Sequence, residues 1–83
     1  MRYVFDKENL KPFKAVILHK RLRALRLFNN LTQQDIALVL GIHRSTYAYY
    51  ELAVTRPDYE MLIRIADLYD VGLDFLLSIT DEG

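Results

Sequence analysis

The segment 44–51 carries side chains whose chemistry suits the reading of nucleic-acid bases. Arg44 has a planar fork of donors that matches the O6 and N7 acceptors of guanine, and Ser45 can bond a base or a phosphate. Ala48 permits close approach, for example beside a thymine methyl group, and Tyr49 offers a ring or a hydroxyl. These four side chains can act together only if one helix presents them on a single exposed face.

Two tyrosines at helical spacing predict that orientation. Tyr47 and Tyr50 share one side of a helix that begins at His43 or Arg44, so turning both tyrosines inward turns the four candidate side chains outward. Such a helix fits the major groove of DNA, where its N-terminal residues meet base edges. The sequence therefore predicts a recognition helix over residues 44–52.

A second helical pattern precedes this one and ends at a glycine. Thr32 is placed to N-cap it, with Asp35 completing a box-like pair three residues later. Gly41 follows the last apolar residue, where glycine adopts a left-handed backbone at little cost. So short a hinge holds the two helices at a steep angle, and the small Ala37 lets them approach closely. Residues 32–52 are therefore predicted to form a helix-turn-helix unit, with an ordinary helical hairpin as the alternative.

Apolar periodicity predicts three further helices around this unit. The first ends at an asparagine pair, a good left-handed cap, and the second begins behind Asp58 as N-cap. Their expected spans are from about 13–16 to Phe28, from about 59 to Asp70, and from Asp74 to about Ile79. The expected organisation is an N-terminal extension over 1–12, a single all-α domain of five helices over 13–79, and a frayed tail over 80–83.

The composition favours a folded binding protein over an enzyme. A hydrophobic content of 52% in 83 residues suits one domain with its own core. The chain has no cysteine, two histidines, no glycine-rich phosphate loop and no clustered carboxylates, so we expect no catalytic site, cofactor or metal. It also has no apolar run that would form a signal peptide or span a bilayer, which predicts a cytoplasmic protein without membrane contact.

The net charge of zero argues by itself against nucleic-acid binding, but the charge is unevenly distributed. Residues 1–56 contain ten Lys and Arg against four Asp and Glu, a net charge of +6. Residues 57–83 contain one arginine against seven acids, a net charge of −6. This split allows one end to attract phosphates while the other stays clear of them. Chance segregation of solvated charges is the alternative.

The order of these motifs resembles the phage-repressor (Cro/CI, Xre) type of helix-turn-helix domain over about Leu18 to Leu77. The resemblance is carried by Arg21 to Arg26, Leu31 to Ala37, Leu40-Gly41-Ile42, Ser45 to Glu51, Arg56-Pro57-Asp58 and Ile65 to Leu77. It implies the five-helix, lambda-repressor-like fold of these proteins. It also implies sequence-specific binding of double-stranded DNA by a transcriptional regulator, in most cases a repressor that binds a palindromic operator as a dimer.

The resemblance also implies roles for single residues. It marks as base-reading positions Arg44, Ser45 and Tyr49. It gives Gln33, in the first turn of its helix, a phosphate contact that free backbone N–H groups would support. It pairs Arg26 with Glu51, and we expect Arg26 to approach a phosphate as well. Thr55 and Arg56, beyond the recognition helix, are the expected second phosphate clamp. For Gln33 and Arg44 a solvated surface position is the alternative, and for Arg26 and Glu51 the alternative is two unrelated surface charges.

Four residues depart from the family's pattern. His43 stands where a Ser or Thr N-cap is common, and Ala53 replaces a frequent glycine after the recognition helix, where the helix is expected to run on or to be strained. Leu52 and Val54 put apolar groups in a loop that relatives often make basic. We therefore expect fewer phosphate contacts and a lower affinity than is usual for the family.

The last helix has more apolar side chains than its own core needs. Phe75, Leu76 and Leu77 favour a homodimer through this end, although all three closing the monomer's core is the alternative. The alternative function is a protein-interaction module that kept the fold and lost DNA binding, which the zero net charge and the apolar loop at 52–54 favour.

Overall fold

The computed structural model describes residues 17–77, and this part of the chain contains five α-helices and no strand. The helices are α1 (Leu18–Phe28), α2 (Gln33–Leu40), α3 (Arg44–Glu51), α4 (Tyr59–Tyr69) and α5 (Leu73–Leu77). The predicted all-α, five-helix fold is therefore confirmed. The predicted extension 1–12, the predicted helix start at 13–16, the helix end at Ile79 and the tail 80–83 lie outside the described residues.

Local side-chain chemistry sets the helix ends as the sequence predicts. Thr32 Oγ1 accepts a hydrogen bond of 3.0 Å from the backbone N–H of Asp35, and Asp35 Oδ2 accepts one of 2.9 Å from the N–H of Thr32. Gly41 ends α2 in the left-handed region at a φ of 73°. Asp58 Oδ1 accepts a bond of 2.8 Å from the N–H of Met61 at the start of α4. Side-chain caps therefore fix the start of α2, where the helix-turn-helix unit begins, and the start of α4.

One core receives apolar side chains from all five helices. Its buried members are Leu18, Leu22, Ile36, Ala37, Leu40, Tyr47, Tyr50, Leu62, Ile65, Ala66 and Leu76. The rings of Tyr47 and Tyr50 meet edge to face, with centroids 6.1 Å apart and an interplanar angle of 78°. Because both tyrosines are anchored in the core, the rotation of α3 about its axis is fixed by its inner face.

The structure corrects the sequence-based assignment of the last helix. Leu76 is fully buried within the monomer, so it belongs to the core and is not available to a second subunit. Leu77 is half-buried against the same core. Phe75 is 44% exposed, and the guanidinium of Arg21 lies 4.5 Å from the centre of its ring. Of the three residues predicted to form a dimer contact, only Phe75 and Leu77 therefore remain at the surface. No helix within residues 17–77 is long and apolar enough to cross a bilayer.

Candidate nucleic-acid interface

The outer face of α3 carries the predicted base-reading side chains. Arg44 and Ser45 are exposed in its first turn, and Tyr49 is 47% exposed farther along the helix. Ala48 is half-buried and contributes only a small surface. The inner face of α3 packs against α1 and α2, so this outer face is presented by a helix supported on two sides.

A buried ion pair holds the end of α3 against α1. Arg26 Nε donates to Glu51 Oε2 over 2.7 Å, and Arg26 Nη2 donates to Glu51 Oε1 over 3.1 Å. Arg26 Nη1 donates to the carbonyl of Leu31 over 2.9 Å, which ties the same side chain to the link between α1 and α2. A two-pronged contact of this kind fixes geometry as well as charge.

The ion pair leaves the phosphate contact of Arg26 a prediction. Arg26 is 8% exposed, and each of its three side-chain nitrogens donates a hydrogen bond within the protein. A guanidinium has five N–H donors, so Nη1 and Nη2 each carry a second N–H beyond these three bonds. Arg26 therefore holds the end of α3 in place, and these second N–H groups are the ones that a phosphate would meet.

Gln33 links the ion pair to Arg44 on the outer face of α3, a connection that the sequence does not predict. Its Nε2 donates to Glu51 Oε1 over 3.2 Å, and its Oε1 accepts from Arg44 Nη1 over 3.3 Å. One amide thus joins the last turn of α3 to the first turn of the same helix. The spacing between positions 33 and 44 carries no signal for this bond, because the two residues lie on different helices whose angle the sequence leaves undetermined.

The network keeps the Glu51 carboxyl charged. Burial by itself raises the pKa of this carboxyl, but hydrogen bonds from Arg26, Tyr47 and Gln33, together with the charge of Arg26, hold the pKa below its ordinary value of 4.5. The hydrogen bond to Glu51 raises the pKa of Arg26. Burial raises the pKa of Tyr47 well above its ordinary value of 10.0, so its hydroxyl stays neutral. The pair is therefore ionised at neutral pH, beside a neutral phenol.

The first turn of α2 offers backbone donors beside the network. The capping pair uses the N–H groups of Thr32 and Asp35, so the N–H groups of Gln33 and Gln34 have no acceptor within the described residues. Unpaired N–H groups and the positive end of a helix dipole attract anions. This turn, next to Arg44, is therefore suited to a phosphate oxygen.

The loop after α3 is folded back on the helix and is strained at one residue. The N–H groups of Val54 and Thr55 point to the carbonyl of Tyr49 at 3.0 and 3.4 Å. Ala53 has a φ of 62°, in the left-handed region where the family often has glycine. The expectation of strain at Ala53 is therefore confirmed, and α3 does not run on. Thr55 and Arg56 are both exposed in this loop.

Residues 22–76, about two thirds of the 83 residues, match the helix-turn-helix family. The HTH-type transcriptional regulator YqaE of Bacillus subtilis is 47% identical over 59 residues, which cover 71% of this chain and 51% of that protein. The chain spans about half the length of the curated relatives it matches.

Two solved structures share the fold. A transcriptional regulator from Listeria innocua superposes with a TM-score of 0.75 at 30% identity, covering 83% of this chain and 64% of that one. The P22 c2 repressor protein, solved in a complex with a synthetic operator, superposes with a TM-score of 0.69 at 23% identity, covering 74% of this chain and 92% of that one. At that identity the second likeness concerns the fold alone.

Proposed function

The chain belongs to the helix-turn-helix family, whose matched members include transcriptional regulators, and from this premise we propose that it regulates transcription by binding double-stranded DNA with sequence specificity. In this proposal α3 enters the major groove and the protein acts as a repressor. The observation that carries the proposal is the orientation of α3, with Arg44, Ser45 and Tyr49 outward and both core tyrosines inward.

Arg44 reads a base from a prepared position. Its bond to Gln33 Oε1 orients the guanidinium, and Gln33 is itself held by the buried Glu51. The remaining donors of Arg44 then face guanine O6 and N7, a contact that contributes about 1–3 kcal/mol of discrimination. Ser45, Ala48 and Tyr49 supply the neighbouring base contacts.

Phosphates are held on either side of the groove by two clamps. The first consists of Gln33 and the backbone N–H groups of the first turn of α2. The second consists of Thr55 and Arg56 in the exposed loop beyond α3. Arg56 is the one arginine of the two clamps, and Arg26, although only 8% exposed, is proposed to approach a phosphate as well. A modest dependence of affinity on salt follows, because each neutralised phosphate adds about 0.9 to the salt slope.

The operator is proposed to be a palindrome bound by a homodimer. Phe75 and Leu77 of α5 form the contact, since Leu76 is enclosed in each monomer. The two recognition helices would then meet half-sites about one helical turn, roughly 34 Å, apart. Sedimentation of the protein at micromolar concentration tests this, and a monomer with full operator affinity contradicts it. We also propose that the protein is located in the cytoplasm, where it has access to double-stranded DNA.

Selection of bound duplexes from a random pool tests the function itself. The selection is carried out at two salt concentrations. The expected result is that the same palindromic sequence is enriched in both. The competing function is a protein-interaction module, which the exposed Leu52 and Val54, at 68% and 63%, favour. Absence of any enrichment, even at low salt, contradicts DNA reading and supports that module.

A further inference from the structure

A cavity of about 390 Å³ lies behind the end of α3, between α1, α4, α5 and the loop that joins α3 to α4. Its apolar wall contains Leu18, Leu62, Leu77 and the ring of Tyr50. Small-molecule sites in proteins have volumes of roughly 300–1,000 Å³ and mostly apolar walls with a few polar groups. The cavity has the size and the wall of such a site, on the side of α3 opposite the base-reading residues.

The polar groups at the cavity favour an anion. Among the described residues that line the cavity, His19, Tyr50, Thr55 and Arg56 carry polar groups, and none is Asp or Glu. Arg56 is exposed, and the ion pair within residues 17–77 joins Arg26 to Glu51 and does not involve Arg56. The side chain of Arg56 is therefore available to a ligand. A guanidinium binds a carboxylate through two parallel hydrogen bonds. An apolar wall beside an available arginine therefore suits a molecule with an apolar body and one carboxylate.

We propose that this cavity binds a small amphipathic carboxylic acid, with its carboxylate at Arg56 and its apolar body against Leu18, Leu62 and Leu77. Arg56 also belongs to the proposed second phosphate clamp, and a carboxylate at Arg56 neutralises the charge that attracts a DNA phosphate and repels that phosphate. The bound acid therefore weakens DNA binding, and the cavity acts as an effector site. This regulatory consequence rests on the proposed function, whereas the binding of the acid does not.

Binding is tested on the full chain without DNA, with 4-phenylbutyrate as the probe. Titration followed by NMR is expected to give saturable shifts at Tyr50, Leu62 and Leu77, together with a rise in Tm. The neutral analogue 4-phenylbutanamide has the same shape and is expected to bind about tenfold more weakly, because it lacks the charge-assisted bonds to Arg56. Equal affinities, shifts elsewhere in the protein, or no binding overturn the proposal.

Three variants locate the site. Arg56→Gln is expected to remove the preference for the acid over the amide, while Thr55→Trp fills the mouth of the cavity and weakens both probes at least fivefold. Arg64→Gln, an exposed change on α4 away from the cavity, is the matched control and retains the preference. Far-UV circular dichroism confirms that each variant is folded. A preference that survives Arg56→Gln overturns the placement of the carboxylate.

The regulatory consequence is tested with a duplex that the chain itself selects. Saturating 4-phenylbutyrate is expected to weaken DNA binding at least threefold, and the amide at equal occupancy is expected to weaken it less. Unchanged DNA affinity with the acid bound overturns the effector role. If the chain binds the acid but selects no duplex, the proposed function is refuted, while the cavity remains a binding site for the acid.

Discussion

At the scale of single residues, Glu51 connects α1 and α2 to the outer face of α3, which carries the proposed base-reading side chains. It accepts hydrogen bonds from Arg26 of α1 and Gln33 of α2, and Gln33 accepts one from Arg44. One carboxylate in the last turn of α3 thus joins three helices and reaches the first turn of its own helix through an amide. Its loss should affect both the stability of the fold and the orientation of Arg44.

Glu51→Gln is expected to lower the free energy of unfolding by about 3 kcal/mol, because it leaves the buried charge of Arg26 without a counter-ion. Urea unfolding at neutral pH measures this change. Operator affinity is expected to fall as well, since α3 is less firmly held. Asp67→Asn, which removes an exposed acid of α4, is the matched control and should change stability by no more than about 0.5 kcal/mol. A Glu51→Gln variant as stable as the parent contradicts the role of the pair.

The depressed pKa of Glu51 predicts a pH dependence of known sign. A carboxyl whose pKa is lower in the folded state stabilises the fold above its unfolded value, here 4.5, and this contribution is lost as the pH falls through the folded pKa. The difference in unfolding free energy between the parent and Glu51→Gln should therefore be constant near neutral pH and should shrink below about pH 4.5. Parallel curves of stability against pH over this acid range contradict the assignment.

Arg44→Gln tests direct reading of a base. The variant is expected to lose about 1–3 kcal/mol of affinity for the selected operator and to relax the preference for guanine at one position of each half-site. Competition binding with single-base operator variants measures both effects. Arg23→Gln, an exposed change on α1, is the matched control. If Arg44→Gln weakens binding to all sequences equally, Arg44 contacts only the backbone of the DNA.

At the scale of secondary-structure elements, the turns between the helices contain residues with a left-handed backbone conformation. The free-energy cost of this conformation differs among these residues. Gly41 adopts its φ of 73° without a side chain to oppose it, and Asn30 and Asp70 are polar residues that tolerate this region. Ala53 has neither advantage at its φ of 62°. The turn between α3 and α4 therefore stores strain immediately beside Thr55 and Arg56, the proposed second phosphate clamp.

Ala53→Gly is expected to relieve this strain and to stabilise the protein by about 0.5–1 kcal/mol, since glycine adopts this conformation freely at some cost in unfolded-state entropy. Thermal unfolding should show a Tm higher by a few degrees. Ala24→Gly, at an exposed position within α1, is the matched control and should destabilise by about 1 kcal/mol. A lower Tm for Ala53→Gly contradicts the assignment of strain.

At the scale of the whole molecule, charge is segregated while its total is zero. The net charge is +6 over residues 1–56, which include α1 to α3, and −6 over residues 57–83, which include α4 and α5. A negatively charged end repels the DNA backbone and so favours one orientation of the molecule on the duplex. Contacts to phosphate should therefore be sensitive to changes at the positive end and insensitive to changes at the negative end.

The slope of log affinity against log salt separates the two ends. Arg56→Gln is expected to reduce the magnitude of this slope by about 0.9 and to weaken binding to all sequences uniformly. Arg64→Gln removes the same charge from α4 and should leave the slope unchanged. Equal effects of the two substitutions contradict a localised phosphate clamp.

Much of the fold was predictable from the sequence because helix ends depend on local chemistry. Thr32, Gly41 and Asp58 act within three or four residues of their own position, and each behaves as the sequence predicts. The inward placement of Tyr47 and Tyr50 follows from helical periodicity in the same way. Periodicity also predicted the outward face of α3, although the contacts of that face with DNA remain predictions.

Only the tertiary structure decided how deeply distant side chains are buried and which further groups they meet. The family resemblance implies the pairing of Arg26 with Glu51, 25 residues away, and the packing of α1 against α3 buries the pair. The same packing places Gln33 between Glu51 and Arg44 and encloses Leu76 within the monomer. Periodicity along one helix states which side faces inward. The angle and distance between helices arise from the filling of a shared core, which no local pattern encodes.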